Sequence, residues 1–448
     1  MRIVLLNPPA PRITFRDGYC SSSSKSGYVW HPLDLMVQSG ILTAQGHDIT
    51  FIDAIASRMS AEHAIDRIRA AKPDAVLALT GDASWSNDVR FLRRLGAAGL
   101  TPQLILSGDV PRFEAQRAFT DIPDAQAILT DFTDLGAAAF WANDPQPPGI
   151  IDRTGTEHPA TTRRWSSPSA RHDLIAMNAY RLPFHAGQPF ASVLVNYGCP
   201  FSCTFCNTGE LGYKLRDIGE AIEELRLVHS LGYRAVYIRD ATANGQRTHW
   251  LSFCRTLAQQ NLDLQWNVFC TFRPFDAQLA HAMADAGCRI VQFGFETASE
   301  SLRGETGKPF SNEAAQAAVR YCHEAGIRVC GHFVLGLPGQ DEREILETAT
   351  FARKLDLDYA SFNLATARPG THLREHTQSG QLPGGDASAD GFVDGFTDLS
   401  QQALKRLRRQ AIVRFYLRPR PIRAIVDGFG PGTWRHLATT ARAFSRAF

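Results

Sequence analysis

No run of about 18 uncharged apolar residues occurs anywhere in the 448 positions, which argues against a membrane-spanning helix. The opening Met1-Arg-Ile-Val-Leu-Leu-Asn-Pro-Pro stops at two prolines. It is too short for the core of a signal peptide and lacks a cleavage site, so a cytoplasmic protein is expected. Neither sign of charge is in excess. The 47 Lys and Arg face 45 Asp and Glu, a net of +2 that speaks neither for a nucleic-acid binder nor for an acidic shell. No aromatic-basic or RNA-binding module stands out, so nucleic acid is not an expected partner. A disulfide framework is disfavoured as well, because the nine cysteines are odd in number and sit in a large chain expected in the reducing cytosol. After the first apolar run, Asn7-Pro8-Pro9 stands where a G-x-G-x-x-G turn would mark a nicotinamide domain.

What the chain does contain is alternation. Apolar runs at Arg2 to Asn7, Asp48 to Ile52, Ala75 to Leu79 and Gln103 to Leu106 are separated by helical patterns such as Ala61 to Ala71, with turn residues at the run ends. Residues 1–140 therefore read as a doubly wound, Rossmann-like α/β domain, whose ligands sit beyond the strand C-termini. Residues 141–188 shift to Pro, Thr, Ser and Arg and read as an irregular linker. Six more strands are expected at Ser192 to Asn196, Ala235 to Arg239, Gln265 to Phe269, Arg289 to Phe295, Arg328 to Leu335 and Tyr359 to Leu364. Six strand-helix units over residues 189–373 imply a partial (β/α)6 barrel with its function at the strand C-terminal ends. Residues 374–448 read as a small helical C-terminal region, basic at its end, where eleven Lys and Arg from Gln401 onward face the single Asp427.

Just past the first barrel strand stands Asn196-Tyr-Gly-Cys199-Pro-Phe-Ser-Cys203-Thr-Phe-Cys206. On a helix these cysteines would share one face and could form a buried stripe of small residues, but Gly198 and Pro200 argue for a loop. Three clustered thiols at the functional end of a barrel suit soft-ligand iron chemistry. Zinc is the other reading, although its usual second C-x-x-C pair is missing. Cys254, Cys270, Cys288 and Cys322 read as small core residues, while Cys20 and Cys330 could each face a ligand.

The Cys199-x-x-x-Cys203-x-x-Cys206 motif, with aromatic Phe205, resembles the signature of the radical S-adenosylmethionine (SAM) superfamily. The resemblance implies that Cys199, Cys203 and Cys206 hold three irons of a 4Fe-4S cluster and leave the fourth iron for SAM. An electron from the cluster would then cleave SAM to a 5′-deoxyadenosyl radical. Further segments resemble the family's cofactor contacts: Gln292 to Thr297 with Glu296, Gly331 to Gly339 with Gly336 and Leu337, and Asp240-Ala-Thr242, which departs from the usual Gly-Gly-Glu form. Glu296 could instead cap the next helix or pair with Arg289, and Arg273 and Lys308 could be either cofactor contacts or surface ion pairs.

The doubly wound domain ahead of this barrel resembles the cobalamin-binding domain of the B12-dependent class B enzymes. That resemblance places cobalamin over residues 1–140, with Asn7, Thr80, Gly81, Ser107 and Gly108 as the loop residues near its nucleotide tail. The Asp-x-His-x-x-Gly signature is absent, and His31, His47 and His63 stand outside any such motif, so cobalt is expected to lack a lower histidine. Extra N-terminal cysteines for a second cluster, as in methylthiotransferases, are missing too. The expected activity is methyl transfer to an unactivated carbon of a small-molecule or lipid-like biosynthetic intermediate, with an electron donor such as flavodoxin or ferredoxin. A same-family cyclase, ring-contraction or oxidation enzyme is the alternative, and a non-catalytic Fe-S redox or cofactor-binding protein is a further one. The basic C-terminal region could meet a membrane surface, grip an acidic substrate or close the barrel.

Overall fold

The computed structural model describes residues 1–24, 27–160, 164–185, 187–375 and 396–427. Its first half is built on β1 (Arg2–Asn7), a hairpin of β2 (Thr14–Arg16) and β3 (Ser21–Ser23), then β4 (Asp48–Asp53), β5 (Ala75–Thr80), β6 (Gln103–Gly108), β7 (Ala125–Leu129), β8 (Ile150–Asp152) and β9 (Glu157–His158). Outside the hairpin these strands form one sheet in the order β4-β1-β5-β6-β7-β8-β9, parallel through β7 and antiparallel beyond it. Strand β5 is buried at every position, as its unbroken apolar run requires in a sheet covered on both faces. Alternation along β1 divides the core. Ile3 and Leu5 pack with the helix Leu33–Ala44 on one face, and Val4 and Leu6 with the helix Ala61–Ala71 on the other.

The second half carries β10 (Arg164–Trp165), β11 (Phe190–Val193), β12 (Asn196–Gly198), β13 (Tyr213–Arg216), β14 (Ala235–Ile238), β15 (Gln265–Cys270), β16 (Cys288–Glu296), β17 (Arg328–Leu335) and β18 (Tyr359–Leu364). Strands β11, β14, β15, β16, β17 and β18 pair in that order, all parallel, as an open six-stranded sheet. The expected strand Ser192 to Asn196 is split. Chain leaving β11 at Val193 crosses to a separate small sheet, β10-β13-β12, and this departure carries the cysteine segment away from the main sheet.

Two other expectations are changed by short elements. Within 141–188, β8 and β9 extend the first sheet; strands of two or three residues are too short for their alternation to show against Pro and Thr. At the other end, the helix Gln401–Tyr416 buries Leu404, Leu407, Ala411 and Phe415 in the second core, which fits the barrel-closing reading. Its basic neighbourhood is tied down by Arg406 to Glu342, Arg420 to Asp356 and Asp358, and Arg328 to Asp427. Residues 428–448, the end of the basic region, lie outside the described residues. Among the described residues no helix is long and apolar enough to cross a membrane.

The halves meet through Tyr19, Phe132 and Tyr197, whose rings pack edge to face or tilted. Ion pairs cross the junction as well, among them Arg239 to Asp17 at 2.6 Å, Lys214 to Asp131 at 2.5 Å and Arg374 to Glu114 at 2.5 Å.

Candidate functional site

The cysteine segment is a loop, not a helix, and local geometry explains why. Gly198 at the end of β12 takes φ +74°, and a Cβ there would overlap the Gly212 carbonyl oxygen. The freed space lets Cys199 N donate to that same oxygen at 3.1 Å, which closes the base of the loop. Thr204 N donates to Thr306 O, Leu373 N to Thr204 O, and Cys206 N to Cys203 O, so the loop is pinned from three sides. The thiols contact Thr242 Oγ1 (Cys199, 3.2 Å), the Gly307 carbonyl (Cys203, 3.9 Å) and Thr208 Oγ1 (Cys206, 3.3 Å). All three are half-buried and border one cavity of about 510 Å³. Burial pushes the Cys203 thiol up to about 12 against the pull of Lys308, with Cys206 and Cys199 raising it further. Burial also raises Cys199. Thiols raised in this way, as Cys199 and Cys203 are, ionise when a cationic centre binds beside them, as metal-ligating cysteines do. Among the described residues no three His, Cys, Asp or Glu side chains converge on a single ion position. A cluster does not ask for this, since each thiolate takes its own iron.

Around the cavity the strand ends supply polar groups. Glu296, the last residue of β16, has φ +58°, where a non-glycine side chain is strained, and a shift in register with β17 accompanies it. That turn aims its carboxylate at Lys308 Nζ, 2.6 Å away. The pair narrows the readings. Glu296 does not pair with Arg289, the following helix is capped by Ser299, and Lys308 is a cavity residue rather than a surface one. Asp240 also borders the cavity. One of its oxygens accepts from Val195 N at 2.8 Å, the other is buried without a partner, and burial pushes the carboxyl up to about 7. Phe205 borders the cavity and packs against Leu302, Leu337 and Phe396. Arg273 borders it at an exposed position.

Gly336 and Leu337 are placed differently. They lie one step past β17, buried, with both N–H groups donated to Gln340 Oε1, and the residues of that strand facing the cavity are His332 and Val334. Parity along the strand sets Leu337 on the opposite face from His332 and Val334, while Gly336 shares their parity but lies beyond the strand end, in the turn held by Gln340.

In the first domain, Asn7, Thr80, Gly81, Ser107 and Gly108 are brought together at the strand ends, but all are buried and engaged within the chain. Arg16 of β2 reaches in to Asn7 Oδ1 (2.6 Å), Ser84 Oγ (2.8 Å) and Asp88 (2.7 Å). Ser21 of β3 contacts Asp109 at 2.8 Å and would collide with any Cβ on Gly81. Thr80 Oγ1 donates to Ser107 O, Ser107 Oγ donates to Asp34, and Gly108 (φ +117°) lies against the Thr80 carbonyl. The β2–β3 hairpin thus covers these loop residues. The first-domain side chains that do face the cavity are Asp17, Tyr19 and Cys20, just after β2.

Sequence reasoning missed Asp17, Tyr19, Arg239, His332 and Arg368 as cavity residues. His332 lies inside the Gly331 to Gly339 segment, and strand parity singles it out there. It contacts Ser361 Oγ (3.0 Å) and Gln292 Oε1 (3.1 Å), and burial pushes it down to about 4, so it is neutral.

Residues 193–352 match the model of the Radical SAM superfamily. Over 94% of its length the chain is 26% identical to an uncharacterized methyltransferase of Pyrococcus horikoshii, covering 93% of that protein. It is also similar to an anaerobic magnesium-protoporphyrin IX monomethyl ester cyclase of Rubrivivax gelatinosus, at 22% identity over 83% of this chain and 69% of that one. In fold it resembles the radical SAM methyltransferase TsrM of Kitasatospora setae, solved with cobalamin and a 4Fe-4S cluster. The TM-score is 0.63 at 18% identity, over 83% of this chain and 74% of that one.

Proposed function

With a radical SAM domain over residues 193–352 as the premise, we propose that this chain is a cobalamin-dependent radical SAM methyltransferase for a small-molecule substrate. Cys199, Cys203 and Cys206 are then the ligands of its 4Fe-4S cluster. The observation that carries the reading is the junction of three half-buried thiols, the Lys308–Glu296 pair and a cavity walled by both α/β halves. When bound, the cluster and SAM supply the radical that removes a substrate hydrogen, and cobalamin supplies the methyl group.

The chain's own residues bind, orient and exclude water. Thr242 and Thr208 offer hydroxyls to the outer sulfurs, and Lys308 places a positive charge beside Cys203. Glu296 and Asp240 would offer oxygens to the amino and hydroxyl groups of SAM, with Phe205 as an apolar wall. Gly336 and Leu337 act indirectly by shaping the turn below Val334. Asp17, Tyr19 and Cys20 are the first-domain residues that would border a corrin in the cavity, and the Tyr19–Phe132–Tyr197 packing beside them keeps the junction dry. Reduction of the cluster calls for a donor such as flavodoxin or ferredoxin.

Anaerobic reconstitution tests the reading. Wild-type protein should take up about four iron and four sulfide per chain. Replacing any of Cys199, Cys203 or Cys206 by Ala should remove cluster and SAM cleavage together, and a Cys203→Ala protein with full cleavage would refute the ligand set. With substrate, methyl transfer yields 5′-deoxyadenosine and S-adenosylhomocysteine in equal amounts. Substrate-dependent 5′-deoxyadenosine without S-adenosylhomocysteine would favour a cyclase, the activity named for the Rubrivivax relative.

A further inference from the structure

The cavity also carries two guanidinium groups outside the Lys308–Glu296 pair. Arg239, directly after β14, is held rigidly. Its Nη2 donates to Asp17 Oδ2 at 2.6 Å, and its guanidinium lies over the rings of Trp30 (5.0 Å) and Tyr237 (5.2 Å). Its side chain is only 9% exposed, yet Nη1 is buried without any hydrogen-bond partner. A charged N–H so placed is a standing vacancy for an acceptor, because native structures rarely leave such donors unpaired. Asp17 does not fill it. Its Oδ1 is already taken by Tyr19 N and Cys20 N, and its Oδ2 by Arg239 Nη2.

A second guanidinium, Arg368, follows β18 and borders the same cavity. It lies in the field of the Cys20 thiol and, more weakly, of Cys206, and among the described residues no carboxylate forms an ion pair with it. Cys20 lies within the electrostatic reach of both arginines. Of the other charged residues that border the cavity, Lys308 and Glu296 neutralise each other, Arg273 stands exposed, and Asp240 has no cationic partner.

We propose that the cavity binds an anionic group of the substrate, a carboxylate or phosphate, between Arg239 and Arg368 beside Cys20. The inference rests on the reading of the cavity as a substrate chamber and narrows the substrate to an anion. Guanidinium forks match the two oxygens of such groups, and Arg239 is already immobilised by Asp17 and the two rings, so little freedom is lost on binding. The same chemistry could come from the carboxylate of SAM, and the test separates the two sources.

Cluster-loaded wild-type protein is treated with iodoacetamide in inorganic phosphate or in chloride of equal ionic strength, and alkylation of Cys20 is followed by peptide mass. Phosphate should slow Cys20 alkylation severalfold relative to chloride. Arg368→Gln, at a half-buried site, should lose that protection, and Arg239→Lys, which keeps a cation for Asp17, should weaken it. Equal rates in the two salts would overturn the proposal, as would full protection in Arg368→Gln. SAM affinity is measured on the same proteins by equilibrium dialysis. A fall in SAM affinity in step with the lost protection would also overturn it, by giving the anion site to SAM itself. Failure of wild-type protein to cleave SAM would count against the proposed enzyme but would leave the phosphate result standing on its own.

Discussion

Lys308 Nζ lies 2.6 Å from Glu296 Oε1, and both atoms sit over the α-carbon of Gly294, where any side chain would overlap them. Gly294 thus holds open the space in which the pair forms. The two atoms it would displace are the far ends of flexible side chains, so Gly294→Ala should fold but push the pair aside. The expected outcome is a fall in SAM cleavage of about tenfold or more, roughly 1.4 kcal/mol in barrier, with a melting temperature close to wild type. Parallel activity and melting measurements check it, and normal cleavage would sink the role given to the pair.

Gly198 makes the contrasting case. Its φ of +74° and the backbone oxygen of Gly212 leave no flexible group to yield. Gly198→Ala should therefore distort the base of the cysteine loop, costing about 1–3 kcal/mol and most of the bound iron. Cys254→Ala and Cys322→Ala, in the second core and away from the cavity, should keep wild-type iron content. Iron and sulfide assays after reconstitution distinguish the two classes of variant.

The filled strand ends of the first domain bear on corrinoid binding. Arg16, wholly buried with Asp88, and Ser21 fill the strand ends at the loops expected to meet a nucleotide tail. A corrinoid seated only in the interdomain cavity has no use for its tail, so cobinamide, which lacks the nucleotide, should be retained as well as cobalamin. Cobalt content after gel filtration reads this out. Strong preference for cobalamin would mean that the β2–β3 hairpin moves aside on loading.

Both sheets were legible because parallel strands buried on two faces are written as unbroken apolar runs, as in β5 and β14. The cysteine loop was legible for a different reason: Gly198 and Pro200 break any helix around three closely spaced thiols. What escaped was carried by side-chain direction and by contacts distant in sequence. Gly336 stood out by its residue type, but β17 ends one residue before it, and the strand positions that face the cavity are His332 and Val334. No local pattern announces that Arg16 plugs the strand ends or that Asp17 meets Arg239, 222 residues away. The hairpin itself has two strands of three residues, too short to show a period.

The same plugged strand ends set a pH dependence. Burial pushes the carboxyls of Asp34 and Asp109 up to about 7 and that of Asp88 to about 6, in spite of hydrogen bonds from Ser107, Ser21 and Arg16. In the unfolded chain each would titrate near 3.9, so between about pH 4 and 7 the native state binds more protons than the unfolded one. Native stability of this region must then fall as pH rises through that window and level off above it, by on the order of 1 kcal/mol or more per group. Hydrogen exchange of peptides from β1, β5 and β6, corrected for the intrinsic pH effect, should show weaker protection at pH 8 than at pH 5. Asp34→Asn keeps an acceptor for Gly18 N and cannot ionise, so the drop should be smaller in that variant. Protection that rises with pH in the wild type, or an unchanged drop in Asp34→Asn, would show that these carboxyls are ionised and paid for elsewhere in the folded domain.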